Sequence, residues 1–439
     1  MTRYVIVGTG VAGISAAQAI RTTDQRAEIT LVSEDPYGFY SRPGLAYYLS
    51  GEIPEKQLLL YTKEDWKQLN VHLVPGRVSS LFPQEHRLEV ERRGVLTYDR
   101  LLLAVGAKAV RLTLPGADLQ GVAYLDSFED ARSLVMLARR ARRAVVVGGG
   151  ITSLELTEGL AARGVHVHYL LRGDRYWPAV LDEQESRLVE QHLVKGGVTL
   201  HFRSELVEVL GKRGRVVAVR TQKGETIPCD LLGVAVGTRP RLELAQLAGL
   251  EIDRGILVNE YMATSAPDIF AAGDCAQIFD PVSGQAIMET LWNPARKQGY
   301  TAGLNMAGRQ TAYRHSPSFN VTRLAGLTVT IIGSLGGSRD EDLLTIARGE
   351  SESWRFGLEG VTLHQAGDVN RLRLVIGKKS LLGALLIGDQ TLSVPLQELI
   401  CDQTDITPVR EQLLASNAAL DQILFSFWQK THLQMSGVQ

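Results

Sequence analysis

Short apolar runs alternate with helix-length amphipathic stretches over the first two-thirds of the chain. Tyr4 to Val7 is long enough for one buried parallel strand, and Ile14 to Ile20 has the spacing of a helix packed along one face. A second apolar run, Ile29 to Val32, follows. Residues 71 to 98 alternate apolar and polar, with turn signals at Pro75-Gly76 and Arg93-Gly94, and predict a small antiparallel element. Arg100 to Gly106, RLLLAVG, reads as another buried strand, Leu114-Pro115-Gly116 closes the segment, and Ser127 to Arg140 has helical spacing with Ser127 as N-cap. From Ala144 the succession returns: an apolar strand, a helix, the strand Val165 to Leu170, alternation over 198 to 231, and a closing strand within Leu231 to Pro240. The period far exceeds that of a solenoid, so each copy is expected to build its own βαβ unit. Gly255 to Val258 and Ile269 to Ala271 read as strands, and Asn293 to Ala307 as a helix. The texture changes at Phe319. Val321 to Gly333 and Arg371 to Gly388 are strand-like, Pro408 to Ala415 and Ala418 to Gln429 are helical, and Asp342 to Val369 shows no readable period.

The glycines give the two units a chemistry. Gly8, Gly10 and Gly13 stand in the spacing G-x-G-x-x-G between the first strand and its helix. Gly8 suits the tight turn, Gly10 lets backbone approach a pyrophosphate, and Gly13 permits close helix–strand packing; the helix N-terminus then faces the phosphates. Glu34 ends the second strand about twenty residues beyond the last glycine, where a carboxylate accepts hydrogen bonds from a ribose diol. In the second unit Gly148 and Gly150 recur and Ser153, still small, takes the third place. Arg172 stands where the first unit has its acid; with Arg175 nearby it suits a 2′-phosphate and tilts this site toward NADP over NAD. The fold class expected is α/β: two Rossmann-like dinucleotide-binding domains and a C-terminal α+β interface domain. The boundaries are 1–117 with 252–318, 118–251, and 319–439. Asp274, after the strand Ile269–Ala271 and at the start of an expected helix, suits either an N-cap or a hydrogen bond to a ligand hydroxyl.

Bulk properties remove several alternatives. A chain of 439 residues calls for two or three domains, and a net charge of −1 argues against nucleic acid while leaving room for a local basic patch that docks an acidic protein. Cys229, Cys275 and Cys401 form no C-x-x-C pair, so no disulfide framework, zinc site or iron–sulfur cluster is expected, and no metal. The first strand starts at Tyr4, which leaves no room for a signal peptide, and no apolar run approaches a membrane span; a cytoplasmic protein is expected.

The three segments VIVGTGVAGISAA, VVVGGGITSLE and SAPDIFAAGDCA, in this order, resemble the pyridine nucleotide–disulfide oxidoreductase class of flavoproteins. YSRPGLAYYL, LWNPARKQGYTAGLNMAG and RLRLVIGKKSLLGALLIGD are similar to segments of rubredoxin reductases, bacterial ferredoxin reductases and the flavin module of nitrite reductases. The resemblance implies FAD on the first unit and NAD(P)H on the second. It implies an FAD set of Gly8, Gly10, Val11, Ala12, Gly13, Glu34, Arg42, Pro43, Val78, Ala104, Gly106, Gly273 and Asp274, with Asp274 on the ribityl chain. The nicotinamide nucleotide set is Gly148, Gly150, Ile151, Ser153, Arg172 and Gly237. Glu155, Trp292 and Arg42 are the candidate catalytic residues: Glu155 where the nicotinamide enters, Trp292 over the flavin or at the exit to a partner, Arg42 against phosphate or reduced-flavin charge.

Two departures matter. A lysine usual in the first of these segments is replaced near Tyr47, and the reactive cysteine of coenzyme A-disulfide reductases is replaced by Pro43. Cys275, next to Asp274 at the expected helix start, is the one thiol whose pKa that position would lower, although a packed small residue is the simpler reading. Disulfide chemistry is therefore disfavoured. The expectation is an FAD-dependent oxidoreductase that moves hydride from NAD(P)H to flavin and electrons onward to a rubredoxin, ferredoxin or other iron–sulfur partner. The rivals are an NAD(P)H oxidase using dioxygen and a non-catalytic flavin-binding interaction protein.

Overall fold

The computed structural model describes residues 1–280, 285–333, 335, 370–415 and 419–436. The unreadable stretch Asp342 to Val369 lies outside the described residues. The opening strand Arg3–Val7 is central in a five-stranded sheet, in the order Ile269–Ala271, Arg100–Leu103, Arg3–Val7, Glu28–Ser33, His72–Pro75. All four pairings are parallel. Strands this short and buried on both faces need continuous apolar sequence, which is what Tyr4–Val7 and Leu101–Leu103 supply. The second unit repeats the plan around Arg143–Val147, in the order Thr199–Phe202, His166–Leu171, Arg143–Val147, Leu231–Val234, Val122–Tyr124, again parallel throughout. The fifth strand comes from downstream in the first sheet and from upstream in the second. The chain therefore leaves the first sheet after Leu103, builds the second, and returns to close the first.

Two expectations change. Residues 71 to 98 are not wholly an antiparallel element: His72–Pro75 joins the parallel sheet, and only Val78–Phe82, Arg87–Val90 and Gly94–Thr97 form the antiparallel one. The same split recurs at Thr199–Phe202, whose neighbours Leu206–Lys212, Arg215–Thr221 and Thr226–Pro228 make the separate sheet. The helix expected at Asp274 does not exist. Gly273 is left-handed, with φ of +80°, and the chain turns there into a strand, Ala276–Asp280. The carboxylate therefore has no helix dipole behind it.

The helix that does face the first glycine turn is Trp292–Met306. It lies against the opening helix Val11–Thr23 so closely that a Cβ on Gly299 would stand 2.0 Å from the Ala12 carbonyl oxygen, and one on Gly303 2.4 Å from that of Ala16. No side chain fits at either place. The C-terminal part is a four-stranded antiparallel sheet, Phe319–Leu324, Leu327–Gly333, Leu381–Ile387 and Arg371–Ile376, packed on Ser393–Cys401, Thr407–Leu414 and Leu420–Ser436. One face of its first hairpin shares a core with the second unit, where Leu324, Val329 and Ile331 pack with Leu156 and Leu160.

Candidate functional site

At the carboxyl ends of the first sheet a cleft of about 620 Å³ opens, a volume typical of small-molecule sites. Its floor is the first glycine turn. Gly8, with φ of +115°, has its backbone so close to the end of the strand Arg100–Leu103 that a Cβ would stand 2.2 Å from the Ala104 carbonyl oxygen. Gly13 would likewise drive a Cβ to 2.1 Å from the Gly8 carbonyl oxygen, so it holds the helix down rather than facing the cleft. Around Gly10, by contrast, there is open space, and the first helical amides point into it without a capping side chain. Two of these glycines thus bring backbone together, and one leaves room for a phosphate.

Every other residue expected on the first nucleotide lines this cleft: Val11, Ala12, Glu34, Arg42, Pro43, Val78, Ala104, Gly106, Gly273 and Asp274, with Trp292 and Ala295 as a further wall. Phe39 stacks on Trp292, their ring centroids 6.0 Å apart and their planes nearly parallel, which fixes the indole at the mouth. Gly273 is held by Gln298, fully buried, whose Oε1 accepts the Gly273 N–H at 2.8 Å while its Nε2 donates to Glu289 at 3.1 Å. Glu289 also accepts from Tyr313 Oη at 2.6 Å and pairs with His315 at 2.8 Å. This buried network sets the Asp274 turn from behind.

The structure adds residues the sequence did not point to. Arg241, far along the chain, donates to Glu34 at 2.7 Å and lines the cleft beside it. Tyr40 Oη donates to Asp35 at 2.9 Å and accepts the Phe128 N–H at 3.3 Å. Burial and the Asp35 carboxylate push its phenol up to about 12 despite Arg42, so it stays protonated. Arg42 donates to the Asp126 carbonyl oxygen at 2.7 Å and lies 3.7 Å from its carboxylate. Burial opposes its charge, but Tyr40, Asp126, Asp274 and Asp35 outweigh that and hold the guanidinium above its ordinary range. A fixed cation thus stands in the cleft. The segment YSRPGLAYYL, through its resemblance, pointed to this wall at Arg42 and Pro43; nothing local signalled Arg241.

The second glycine turn is built alike. Gly148 has φ of +143°, and a Cβ on it would approach the Ala235 carbonyl oxygen to 2.2 Å. Gly150 and Gly237 look onto open space, and Ile151 begins the helix Ile151–Ala162. Ser153 fits in the third place because its hydroxyl is fully engaged, 2.7 Å from the Gly150 carbonyl oxygen and 2.7 Å from Tyr169 Oη. Arg172 follows the strand His166–Leu171 as an exposed side chain, in a loop whose Gly173 carbonyl accepts the Arg203 N–H at 2.8 Å.

Glu155 does not line the large cleft. It borders a recess of about 30 Å³ with Tyr47, Glu158 and Arg323, where both units meet the C-terminal hairpin. Arg323 pairs with Glu52 in two hydrogen bonds and stands 5.5 Å over the Tyr47 ring, so this joint has a cation although Tyr47 is not a lysine. Glu158 accepts the Gly326 N–H at 3.0 Å; burial pushes its carboxyl up to about 7, opposed by Arg323.

Among the described residues no cysteine lines the cleft. Cys275 lies behind it, fully buried, with its Sγ 3.4 Å from the Leu103 carbonyl oxygen, and burial pushes the thiol up to about 11. The lowered pKa expected for this position is reversed: burial raises it, and the helix that would have lowered it is absent. Cys229 is also buried and pushed up to about 12. No group of His, Cys, Asp and Glu suited to a metal occurs among the described residues, and no described helix is long and apolar enough to cross a membrane.

Residues 2–299 match the pyridine nucleotide-disulphide oxidoreductase family. The chain is 32% identical over 352 residues to the rubredoxin-NAD(+) reductase of Pseudomonas putida, covering 78% of this chain and 89% of that protein. It is 28% identical over 415 residues to the assimilatory nitrate reductase electron transfer subunit of Bacillus subtilis, covering 94% of this chain but 51% of the relative, so it spans about half of that protein's length. The ferredoxin reductase for the CYP199A2 system of Rhodopseudomonas palustris shares the fold with a TM-score of 0.82 at 23% identity, over 96% of this chain and 99% of that one.

Proposed function

The chain belongs to the pyridine nucleotide-disulphide oxidoreductase family of FAD-dependent NAD(P)H oxidoreductases, and on that footing we propose that it passes electrons from NADPH, through FAD, to a separate electron-carrier or iron–sulfur protein. The observation that carries this reading is the cleft itself: a dinucleotide cradle with an aromatic mouth at Trp292 and no thiol on its walls. Bound FAD would accept hydride and return electrons; the protein's own residues supply position and charge. Gly8, Gly10 and the first helical amides hold the pyrophosphate. Glu34 takes the ribose diol while Arg241 fixes its carboxylate. Asp274, set by the Gln298–Glu289 network, holds the ribityl hydroxyls. Arg42 offers positive charge to phosphate or to added electrons, and Trp292 shields the ring edge from water. These two of the three proposed catalytic residues reach the cleft; Glu155 serves the joint across which the nicotinamide must approach.

NADPH lies on the second glycine turn, through Gly148, Gly150, Ile151, Ser153 and Gly237, with Arg172 on the 2′-phosphate. Arg172→Glu is expected to lower kcat/KM for NADPH by about a hundredfold while that for NADH changes severalfold at most, since a charge-assisted contact to phosphate is replaced by repulsion. Steady-state kinetics with both nucleotides checks it; equal losses would mean that Arg172 does not read the phosphate.

The three cysteines are free, which suits a reducing cytoplasm. The function is tested by NADPH consumption in air with and without an added rubredoxin or [2Fe–2S] ferredoxin. Slow turnover alone and fast turnover with the carrier are expected. Fast turnover in air without any carrier would make the protein an oxidase, and a flavin that never bleaches would make it a non-catalytic binding protein.

A further inference from the structure

Resting on the carrier reading above, we infer that the outer face of helix Trp292–Met306 and the segment after it are the docking surface for an acidic redox carrier. From 290 to 333 the sequence carries Arg296, Lys297, Arg309, Arg314 and Arg323 and no aspartate or glutamate, in a chain whose net charge is −1. Arg323 is taken up by Glu52 at the joint. Among the described residues, Arg296, Lys297, Arg309 and Arg314 have no ion-pair partner; Lys297 Nζ reaches only Ser316 Oγ, at 3.3 Å. All four are exposed.

Arg296, Lys297 and Arg314 border a recess of about 220 Å³ with Tyr300, which is 42% exposed. A basic rim around an exposed aromatic is the composition of a protein-docking site rather than of a solvated face. Tyr313 forms another wall and is anchored on the buried Glu289, so the recess is braced.

Position relative to the cleft selects the occupant. Trp292 lines the cleft, and Arg296 is its i+4 neighbour on the same helix, about one turn away on the same face. A carrier seated on these cations therefore lies beside the aromatic mouth, where a short electron path needs it. A second basic run, Arg139, Arg140, Arg142 and Arg143, has no such relation: it precedes the strand Arg143–Val147, at the end of the second sheet opposite its glycine turn.

The test uses the FAD-loaded enzyme with NADPH and a rubredoxin or [2Fe–2S] ferredoxin of net negative charge, and menadione as a small uncharged acceptor. Arg296→Glu/Lys297→Glu, both exposed and outside the cleft, are expected to raise KM for the carrier about tenfold or more at low salt and to flatten its salt dependence. Menadione turnover should be unchanged, and Arg140→Glu/Arg142→Glu should leave carrier kinetics unchanged. If the wild type reduces the carrier but the first pair has no effect, or both pairs act alike, the assigned face is wrong while the carrier reading survives. If the wild type reduces menadione but no acidic carrier, both fail. Binding to anionic phosphatidylglycerol vesicles that is lost in the first pair, with carrier kinetics untouched, would make the face a membrane contact and overturn the proposal.

Discussion

Gly8→Ala is expected to yield protein that folds but is purified largely without flavin. The added methyl would meet the Ala104 carbonyl oxygen at 2.2 Å, and the residue must hold a φ of +115°, where an L side chain is strained. Relief requires the turn to lift off the end of the strand Arg100–Leu103, which moves the first helical amides away from the pyrophosphate. Strain and overpacking together amount to about 3 kcal/mol, or roughly a hundredfold in flavin affinity. The ratio of flavin absorbance to protein absorbance after purification measures it. Gly10→Ala is the matched control: its Cβ meets nothing within 4 Å of the protein, so loss of flavin there would come from the ligand and not from the fold. Full flavin content in Gly8→Ala would refute the close approach on which the cradle depends.

The second large effect is expected at the seam between the nucleotide-binding unit and the C-terminal sheet. Glu185 is fully buried; its Oε2 closes a capping box with Asp182, and its Oε1 accepts Arg371 Nε at 3.3 Å and Arg373 Nε at 3.1 Å. Arg371 also reaches Asp182 at 2.6 Å. Replacing both arginines by methionine leaves a buried carboxylate without a cation, which costs about 3–5 kcal/mol. Adding Glu185→Gln to that pair removes the stranded charge and should recover most of the loss. Denaturant unfolding of the wild type, the double and the triple variant decides; a double variant within about 0.5 kcal/mol of wild type would show that the seam does not depend on these ions.

Much of this architecture is legible in the sequence because its parts are local. A strand, a glycine turn and a helix within about thirty residues carry their own signal, and the repeat at Gly148 confirms the first by recurrence. What the sequence hides is short or long-range. The edge strands His72–Pro75 and Thr199–Phe202 have four residues each and alternate like hairpin strands, so their apolar pattern does not reveal which sheet they join. Val122–Tyr124, three residues long, is recruited into its sheet only by the neighbour Leu231–Val234. The turn at Gly273 looked like a helix start because an aspartate after glycine suits both; a left-handed glycine decided it. The Arg241–Glu34 pair joins residues far apart in the chain, which no spacing rule anticipates, and the Gln298–Glu289 network, although within one segment, depends on how the turn at Gly273 packs against the helix Trp292–Met306.

The same return explains why the fate of the cysteines needed the fold. Cys275 sits beside the Asp274 turn in sequence but behind the strand Arg100–Leu103 in space, with its sulfur turned from the cleft. A thiol there cannot reach a substrate disulfide without unpacking the first sheet.

The central claim, that NADPH delivers electrons to a flavin in this cleft and an external carrier removes them, is tested most directly by following the flavin absorbance without oxygen. Mixing with NADPH should bleach it, and a second mixing with oxidised rubredoxin or ferredoxin should restore it while the carrier is reduced. A flavin that bleaches but is restored by oxygen alone, with every carrier left oxidised, would contradict the account.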